Sequence, residues 1–331
     1  MNRRPLPGEF ELIARYFAPL AAAAPGALSL TDDVAVLSLE ANEELVLKTD
    51  AVVAGVHFLP DDPPDLIARK LLRVNLSDLA GKGARPLGYL LACAFPSDLD
   101  AAWLAAFAAG LAADQSEFAV PLLGGDTTST PGPLTLAATV LGAGAKGRTP
   151  RRAGAQVGDA VLVSGTLGDG ALGLDVQRDK LPTVDAAGRA YLIDRYRLPR
   201  PRLALGRALV EAGIVHASMD VSDGLLADLG HIARQSAVGA RIDWPRVPLS
   251  TAAAGAVAAR PELRERILAG GDDYELLLTV AADRVPQALS IAGRIGVPLA
   301  EIGRIVAGDG VEVLDERGAP LPVGRRGFQH F

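Results

Sequence analysis

The sequence predicts an α+β protein built from two domains. With 331 residues the chain is longer than one hydrophobic core usually supports, so each half is expected to hold its own core. Strand-like and helical segments follow one another without strict βαβ alternation, which favours mixed, largely antiparallel sheets. The glycine-rich stretch 142–150 lacks apolar periodicity and is the best boundary. We therefore expect an N-terminal domain over residues 1–147 and a C-terminal domain over residues 148–331.

The first half alternates between helical and extended segments. Apolar residues recur at helical spacing over 8–17, which predicts an amphipathic helix. Asp65 follows two prolines and can cap a helix that runs to about residue 83, and a further helix is expected over 99–116. The apolar runs predicted as strands are 34–39, 44–48, 87–95 and 134–141.

The second half begins with a predicted strand at 160–164, which leads into a glycine-rich turn at 165–170. This turn lacks the G-x-G-x-x-G spacing of dinucleotide-binding proteins, so a nicotinamide cofactor is not expected. Proline, serine and charged residues precede further helical patterns, and one more apolar run is typical of a strand. These helices are predicted over 201–212, 222–236 and 284–295, and the strand over 274–280.

Composition narrows the class of protein. Hydrophobic residues make up 49% and charged residues 22%, which is typical of a globular chain. The net charge is −6, with 33 basic and 39 acidic residues and no basic block, so nucleic acid is not expected as a partner. Cys93 is the only cysteine, which favours a reducing compartment. The N-terminus lacks the apolar segment of a signal peptide, and the apolar run 101–113 is too short to cross a bilayer. We expect a cytoplasmic protein without membrane association.

Short acidic turns recur along the chain, and most follow an apolar strand-like run. They contain Asp32, Asp33, Asp50, Asp126, Asp220, Asp223, Asp272 and Asp273, and the helical segment 65–83 adds Asp78. Carboxylates that converge at strand ends repel one another and are costly to desolvate unless a cation lies among them. Mg²⁺ prefers oxygen ligands and is commonly shared between one or two carboxylates and nucleotide phosphates. The pattern favours an ATP-using enzyme of phosphoryl transfer.

Several of these residues also have a purely local interpretation. An Asp beside Gly or Thr at a strand end most often accepts hydrogen bonds from nearby backbone N–H groups. Ser222 can cap the helix that follows it. Asp78 can pair with Lys82 or Arg85 on its own helix or just beyond it.

Other features favour a ligand. Thr49 and Asp50 supply neighbouring oxygens suited to Mg²⁺, and Gly125 allows close approach of a ligand to the backbone before Asp126. Repulsion between Asp220 and Asp223 would be relieved by a cation.

Three arginines follow the proposed domain boundary, namely Arg148, Arg151 and Arg152. They form either a surface charge run or a clamp on transferring phosphates. The residues suggest no general base. An acceptor that is itself a phosphate monoester needs none, because its second ionisation lies near pH 6 and the attacking oxygen is anionic at neutral pH.

Short motifs occur in one order through nearly the whole chain. They are Gly8-Glu9-Phe10, Thr49-Asp50 with Val53-Ala54-Gly55 and His57-Phe58, Asn75-Leu76-Ser77-Asp78-Leu79-Ala80, Gly124-Gly125-Asp126-Thr127-Thr128, Asp220 with Ser222-Asp223-Gly224-Leu225, and Gly270-Gly271 with Asp273-Tyr274-Glu275-Leu276. Together they resemble the thiamine-monophosphate kinase family, which belongs with the aminoimidazole-ribonucleotide-synthetase-like ATP-binding proteins.

The resemblance implies a two-domain α+β fold in which an N-terminal mixed sheet forms a dimer barrel and the C-terminal domain is an α/β sandwich. It implies a homodimer. It also implies that ATP phosphorylates thiamine monophosphate to thiamine diphosphate by direct in-line transfer, with several Mg²⁺ ions.

Site residues follow from the same resemblance, position by position. The metal ligands implied are Asp33, Thr49, Asp50, Asp78, Asp126, Asp220 and Asp223. The nucleotide contacts implied are Asp33, Gly125, Asp126, Arg152 and Ser222, and the substrate contacts are His57 and Asp272. We expect Asp50, Asp126, Asp223 and Arg152 to act in catalysis.

The chain departs from the family pattern at three positions. Thr31 stands where a Gly commonly precedes the two aspartates, and Lys48 replaces a small hydroxyl residue that helps hold one ion. Arg325 stands where an aromatic residue often meets the substrate. Phe328, three residues on, could offer the π-face that a cationic thiazolium attracts.

Two kinds of alternative remain. Selenophosphate, purine-precursor and hydrogenase-maturation ATPases of the same superfamily would share the aspartates, although the first would carry a reactive cysteine near its N-terminus. A non-catalytic nucleotide-binding protein could also keep the fold.

Overall fold

The computed structural model describes residues 8–31, 34–324 and 327, and its internal contacts divide the chain into two units. The first unit comprises Met1–Leu79 and Arg85–Gly147, and the second comprises Ala80–Ala84 and Arg148–Phe331.

The first unit begins with short helical pieces. Helix α1 (Glu9–Leu12) continues as a π-helical turn at Ile13–Phe17 and two 3₁₀ segments, Ala18–Ala21 and Pro25–Leu30. The predicted helix over 8–17 is thus confirmed as helical, but its hydrogen bonding changes within it. The elements that follow are β1 (Glu43–Val53), α2 (Pro64–Gly81), β2 (Arg85–Pro96), α3 (Ala101–Phe118), β3 (Leu122–Thr130) and β4 (Thr135–Ala145).

The four strands of this unit form one sheet in the order β1-β4-β2-β3. β4 is antiparallel to both of its neighbours, and β2 and β3 are parallel. Side chains alternate between the two faces of a strand. On β4 the face that carries Leu136, Ala138 and Val140 is buried, whereas β1 presents the exposed Leu45 and Leu47 on the opposite side. We call this second side, which also carries Leu90 of β2, the open face.

Three sequence predictions in this unit were wrong in detail. Residues 34–39 form no strand: the backbone N–H of Val36 donates to Gly26, and Val34 and Val36 are each 60% exposed. Strand β1 extends beyond the predicted residue 48 to Val53, so Asp50 lies inside the strand. Helix α2 begins at Pro64, which places Asp65 in the first turn, where its charge suits the positive end of the helix dipole, and not at the cap.

The second unit contains six strands and seven helices among the described residues. They are β5 (Ala160–Ser164), α4 (Asp169–Gln177), α5 (Ala186–Arg197), α6 (Leu203–Glu211), β6 (Val215–Asp220), α7 (Leu225–Ser236), β7 (Gly239–Asp243), α8 (Thr251–Ala259), α9 (Leu263–Ala269), β8 (Leu276–Val280), α10 (Val285–Ile295), β9 (Leu299–Val306) and β10 (Val311–Leu314). The predicted strand at 160–164 and the predicted helix ending at residue 295 are confirmed.

Helices cover both faces of the six-stranded sheet, whose order is β10-β7-β9-β5-β8-β6. Alternate residues of β5 belong to different clusters. Val161 and Val163 pack in a cluster with α4, α7 and α9, while Ala160 and Leu162 pack in one with α6 and α10. The sheet is therefore the middle layer of an α/β sandwich. None of the helices in the described part of the chain has the length and apolar character needed to cross a membrane.

Candidate functional site

In the first unit, Lys48 lies between two of the predicted metal ligands. Its Nζ is 3.1 Å from Asp50 Oδ1 and 3.0 Å from Asp78 Oδ2. We call these three side chains the first-unit acidic group. Of the two local partners considered for Asp78, Lys82 donates to the backbone oxygen of Ser218 and Arg85 pairs with Glu43.

Strand alternation and one amide explain how this group forms. Lys48 and Asp50 are two residues apart on β1 and so share a face, while Asp78 lies three residues after Asn75 on α2. Asn75 Oδ1 accepts the backbone N–H of Asp50 at 3.0 Å, and its Nδ2 donates to the Leu71 carbonyl at 2.9 Å. This buried amide attaches the helix to the strand and brings the two carboxylates together.

The same alternation directs Thr49 to the open face, away from the Asp50 carboxylate. Its hydroxyl donates to the Ala138 carbonyl at 3.2 Å and accepts from the Thr139 hydroxyl at 3.0 Å. The predicted pairing of the Thr49 hydroxyl with Asp50 therefore does not form in this structure.

Charge stabilises Lys48 in its position. Burial by itself would lower the pKa of its ammonium, but Asp78 and Asp50 outweigh burial and raise the pKa above its usual value. Lys48 is therefore a permanent cation at neutral pH.

Asp126 and Gly125 lie on β3, the edge strand farthest from β1. Asp126 pairs with Ala92 of β2, and the row continues through Ala137 to Ala51, so Asp126 is on the open face. Three strand spacings of about 4.8 Å separate it from β1. A Cβ at Gly125 would meet the Leu91 carbonyl oxygen at 1.8 Å, so close packing of β3 on β2 also requires glycine there.

His57 follows the end of β1 in a turn where Gly55 has a φ of +82°. Its Nδ1 accepts the backbone N–H of Val53 at 3.1 Å. Since a backbone N–H can only donate, the proton of the neutral imidazole lies on Nε2. In the neutral form, Nε2 is therefore the donor atom of His57.

In the second unit, residues 220–224 leave β6 and lead into α7; we call this segment the acidic loop. It runs beside residues 271–275, which precede β8. The backbone N–H of Asp272 donates to the Ser222 carbonyl at 2.9 Å, and that of Tyr274 to the Val221 carbonyl at 2.8 Å. The structure therefore brings the segment of Asp220, Ser222 and Asp223 next to the segment that carries Asp272.

Asp228, in the first turn of α7, holds the acidic loop in place. Its Oδ2 accepts three backbone N–H groups, from Ser222 and Asp223 at 3.0 Å and from Gly224 at 3.2 Å. Ser222 was predicted to cap this helix, but the helix begins at Leu225 and its cap residue is Gly224. The sequence reasoning missed Asp228, although an acidic residue in a first helical turn is a known signal.

Burial, followed by the charges of Asp220 and Asp223, raises the pKa of Asp228 well above its usual value, and the backbone N–H groups oppose that shift. Three carboxylates thus lie within electrostatic range in one loop. A cation near Asp220 and Asp223 would relieve this repulsion.

Buried ionic contacts support the segment that carries Asp272. Asp273 accepts the backbone N–H groups of Gly168 and Gly170, and complete burial raises its pKa to about 8. Glu275 receives hydrogen bonds from Arg195 at 2.8 Å and from Arg202 at 2.6 Å. Immediately before these anchors, the backbone of Asp272 has a φ of +70°, a conformation that is strained for a residue other than glycine.

Arg152 is exposed near the start of the second unit. Its backbone carbonyl accepts from the Ser236 hydroxyl at the end of α7. Burial, followed by the charges of Arg152 and Arg234, lowers the pKa of His231 on the same helix. The charge of Asp223 opposes this shift. Asp33, Arg325 and Phe328, which the sequence also singled out, lie outside the described residues.

The carboxylates present are of the chemical type that Mg²⁺ prefers. In the described ranges no group of three or more His, Cys, Asp or Glu side chains could hold a metal ion alone. Each unit instead offers a pair of carboxylates, Asp50 with Asp78 and Asp220 with Asp223. Mg²⁺ commonly takes one or two carboxylates and completes its shell with water and substrate phosphates.

Cys93 bears on the selenophosphate alternative. It is 2% exposed within β2, and burial raises the pKa of its thiol. A thiol in that environment is inert as a nucleophile, as expected of a core residue.

Comparison with known proteins identifies the family. The chain matches the AIR synthase related protein N-terminal domain over residues 31–143 and the corresponding C-terminal domain over residues 156–316. A thiamine-monophosphate kinase of Caulobacter vibrioides is 45% identical over 329 residues, covering 98% of this chain and 91% of the relative. The two matched domains, with the mixed sheets described above, confirm the predicted α+β fold class.

Solved structures agree. Thiamine-monophosphate kinase from Stenotrophomonas maltophilia has a TM-score of 0.80 and 40% identity, over 90% of this chain and 96% of that chain. AaThiL complexed with AMPPCP and TMP has a TM-score of 0.77 and 30% identity, over 98% and 97% of the two chains. With such identity over nearly its full length, this chain belongs to the thiamine-monophosphate kinase family of AIR synthase related proteins.

Proposed function

We propose that the protein is a thiamine-monophosphate kinase, which uses ATP to convert thiamine monophosphate to thiamine diphosphate. The observation that carries the proposal is the match over 98% of the chain to a kinase of that name. The paired carboxylates of each unit support it, because they suit a reaction whose substrates are all phosphates.

The reaction is a direct in-line transfer. A phosphate oxygen of thiamine monophosphate forms a bond to the γ-phosphorus of ATP as the bond to the β–γ bridging oxygen breaks, and ADP leaves with the electron pair. The attacking oxygen is already ionised at neutral pH, so no general base is required. The protein has to align two anions and compensate their charge.

Magnesium is part of this proposal. Asp50 and Asp78 would hold it at the first-unit acidic group, and Asp220 and Asp223 would hold it in the second unit. Asp126, on the open face of the first sheet, would be a ligand at a separate position. Bound there, Mg²⁺ neutralises phosphate charge and draws electron density from the transferring group. Asp33 and Thr49 stay in the proposed ligand set on the family resemblance, although the Thr49 hydroxyl is directed away from Asp50.

The remaining site residues are assigned to binding. We assign nucleotide binding to Gly125, Ser222 and the Arg152 guanidinium, together with Asp33 and Asp126. His57 donates from Nε2 to the substrate. Asp272, held in its strained backbone conformation, orients the substrate. Phe328 stacks on the thiazolium. Asp50, Asp126, Asp223 and Arg152 are the residues proposed to act on the transferring phosphoryl group.

We also propose that the enzyme is a cytoplasmic homodimer with domains at 1–147 and 148–331. The division of contacts between Gly147 and Arg148 supports the boundary. The open face supports dimer formation, because Leu45, Leu47 and Leu90 expose 43%, 60% and 40% of their surface on one side of a sheet. Pairing of two such faces would build the barrel that the family resemblance implies.

The test is turnover by the purified protein. With ATP, Mg²⁺ and thiamine monophosphate, we expect formation of thiamine diphosphate and ADP in equal amounts. Unphosphorylated thiamine should react little or not at all, because its hydroxyl would need a base. Equal turnover of thiamine would overturn the mechanism, and hydrolysis of ATP without thiamine diphosphate would overturn the function.

A further inference from the structure

Lys48 occupies the position in the first-unit acidic group where two carboxylates would otherwise require a metal ion. Its Nζ lies 3.0 Å from Asp78 and 3.1 Å from Asp50, which are full charge-assisted contacts with both. We propose that the Lys48 ammonium is a resident cation that replaces one divalent ion of the site. The inference rests on the proposed function, because it concerns ions that accompany the nucleotide.

The position of Lys48 is imposed by the fold. Lys48 is two residues before Asp50 on β1, so strand alternation directs both side chains to the same face. The Asn75 amide attaches α2 to the backbone of Asp50 and so brings Asp78 within reach. With 31% of its side chain exposed, Lys48 is confined between its partners and is not extended into solvent. Its cationic state is secured by both carboxylates.

An ammonium and a magnesium ion differ in their distance from the carboxylates and in their charge. Mg²⁺ contacts its ligands at about 2.0–2.1 Å, so an ammonium with contacts near 3 Å leaves no room for an ion at the same point. Lysine also supplies one positive charge where Mg²⁺ would supply two. Because it is covalently attached, its charge is present at every Mg²⁺ concentration. The loaded enzyme should therefore carry one divalent ion fewer than the same site without the lysine.

The experiment counts divalent ions directly. Mn²⁺ replaces Mg²⁺ as a hard oxygen-seeking ion, and its free concentration is read from its electron spin resonance signal. The proteins compared are the wild type, K48S, K48M, K48R and the control K146M, each with and without AMPPCP. Lys146 is an exposed residue just beyond β4. Unfolding temperatures are measured in parallel with and without Mn²⁺.

We expect K48S and K48M, in the presence of AMPPCP, to bind one more Mn²⁺ per chain than the wild type. K48R keeps the positive charge and should keep the wild-type count, as should K146M. Without metal, K48S and K48M should melt below the wild type because Asp50 and Asp78 repel each other, and Mn²⁺ should restore most of the difference. Equal ion counts in all five proteins would overturn the inference.

A purely structural lysine would give a different result. K48M would then melt at a lower temperature that Mn²⁺ does not restore, and its ion count would match the wild type, which also overturns the inference. The proposed function fails separately: a wild type that forms no thiamine diphosphate refutes the kinase assignment, while a persisting difference of one ion upholds the role of Lys48.

Discussion

Asp228 shows how a single side chain can set the geometry of a loop. One of its oxygens gathers the backbone N–H groups of Ser222, Asp223 and Gly224 before α7 begins. The sequence marks Asp220 and Asp223 because they stand beside glycine and serine after a strand. It marks Asp228 only as an acidic residue in a first helical turn, because the three bonds depend on how the loop folds back on the helix. Asn75 was similarly invisible as a partner of Asp50, since that contact joins α2 to β1.

We expect Asp228→Ala to raise the Michaelis constant for ATP and lower kcat, together about 10- to 100-fold, the usual cost of losing a group that orients ligands. The three N–H groups would lose their shared acceptor, so the loop would no longer hold Ser222 and Asp223 in place. Steady-state kinetics and the unfolding temperature measure the two effects.

Two control variants, measured by the same kinetics and unfolding temperatures, separate a positioning role of Asp228 from a general loss of stability. Asp228→Asn keeps an acceptor oxygen and should recover part of the activity, whereas Asp309→Ala changes only an exposed turn and should behave as wild type. An Asp228→Ala variant with unchanged kinetics would contradict the role assigned to this side chain.

At the level of elements, the pattern of apolar residues predicted those strands and helices whose side chains are buried. Residues 160–164 are buried on both sides of the sheet, and 285–295 bury one face of a helix, so both were found within a residue or two. The pattern failed at 34–39, where valines and leucines alternate but lie exposed without strand partners. Helix α8 is nearly uniform in alanine, and β9 carries charges at Glu301 and Arg304, so neither has a periodicity that predicts its type.

Two glycines in helices test how closely the helices pack. We expect their replacement by alanine to change the free energy of unfolding in opposite directions. A Cβ at Gly110 of α3 would lie 2.2 Å from the backbone oxygen of Asp65 in α2. Gly110→Ala should therefore force the helices apart and destabilise the protein by about 1–3 kcal/mol. Gly255 of α8 is exposed, and a Cβ there would meet nothing within 4 Å. Gly255→Ala should stabilise it by about 0.5–1 kcal/mol through better helix propensity.

Urea denaturation followed by circular dichroism measures both glycine variants. The shifts in midpoint should have opposite directions and unchanged slopes. A neutral Gly110→Ala would mean that α2 and α3 are not in close contact at this point.

At the scale of the whole molecule, exposed apolar side chains are distributed unevenly between the two units. Of the large hydrophobic side chains that are exposed in the described residues, all but Val157 and Leu289 belong to the first unit. Single exposed residues need no explanation, but a group on one face of a sheet is typical of an association surface. The sequence gives no direct sign of this, because Leu45 and Leu47 look like any strand residues until the register places them on one face with Leu90. Among the described residues, the N-terminal 3₁₀ segments cover that face only in part, where they pack on Leu141.

We therefore expect Leu47→Glu to convert the proposed dimer to a monomer. A carboxylate in the centre of an apolar interface loses its hydrating water without gaining a partner, which costs several kcal/mol. Both subunits of a symmetric dimer carry the substitution, so this cost to the free energy of association is doubled. Sedimentation velocity of the wild type should give a dimer and that of Leu47→Glu a monomer with the same unfolding onset. Leu90→Glu, on the same face, should act alike, whereas Val157→Glu, at an equally exposed position of the second unit, should leave the dimer intact. If Leu47→Glu and Leu90→Glu sediment as the wild type does, the open face is not the surface through which two copies associate.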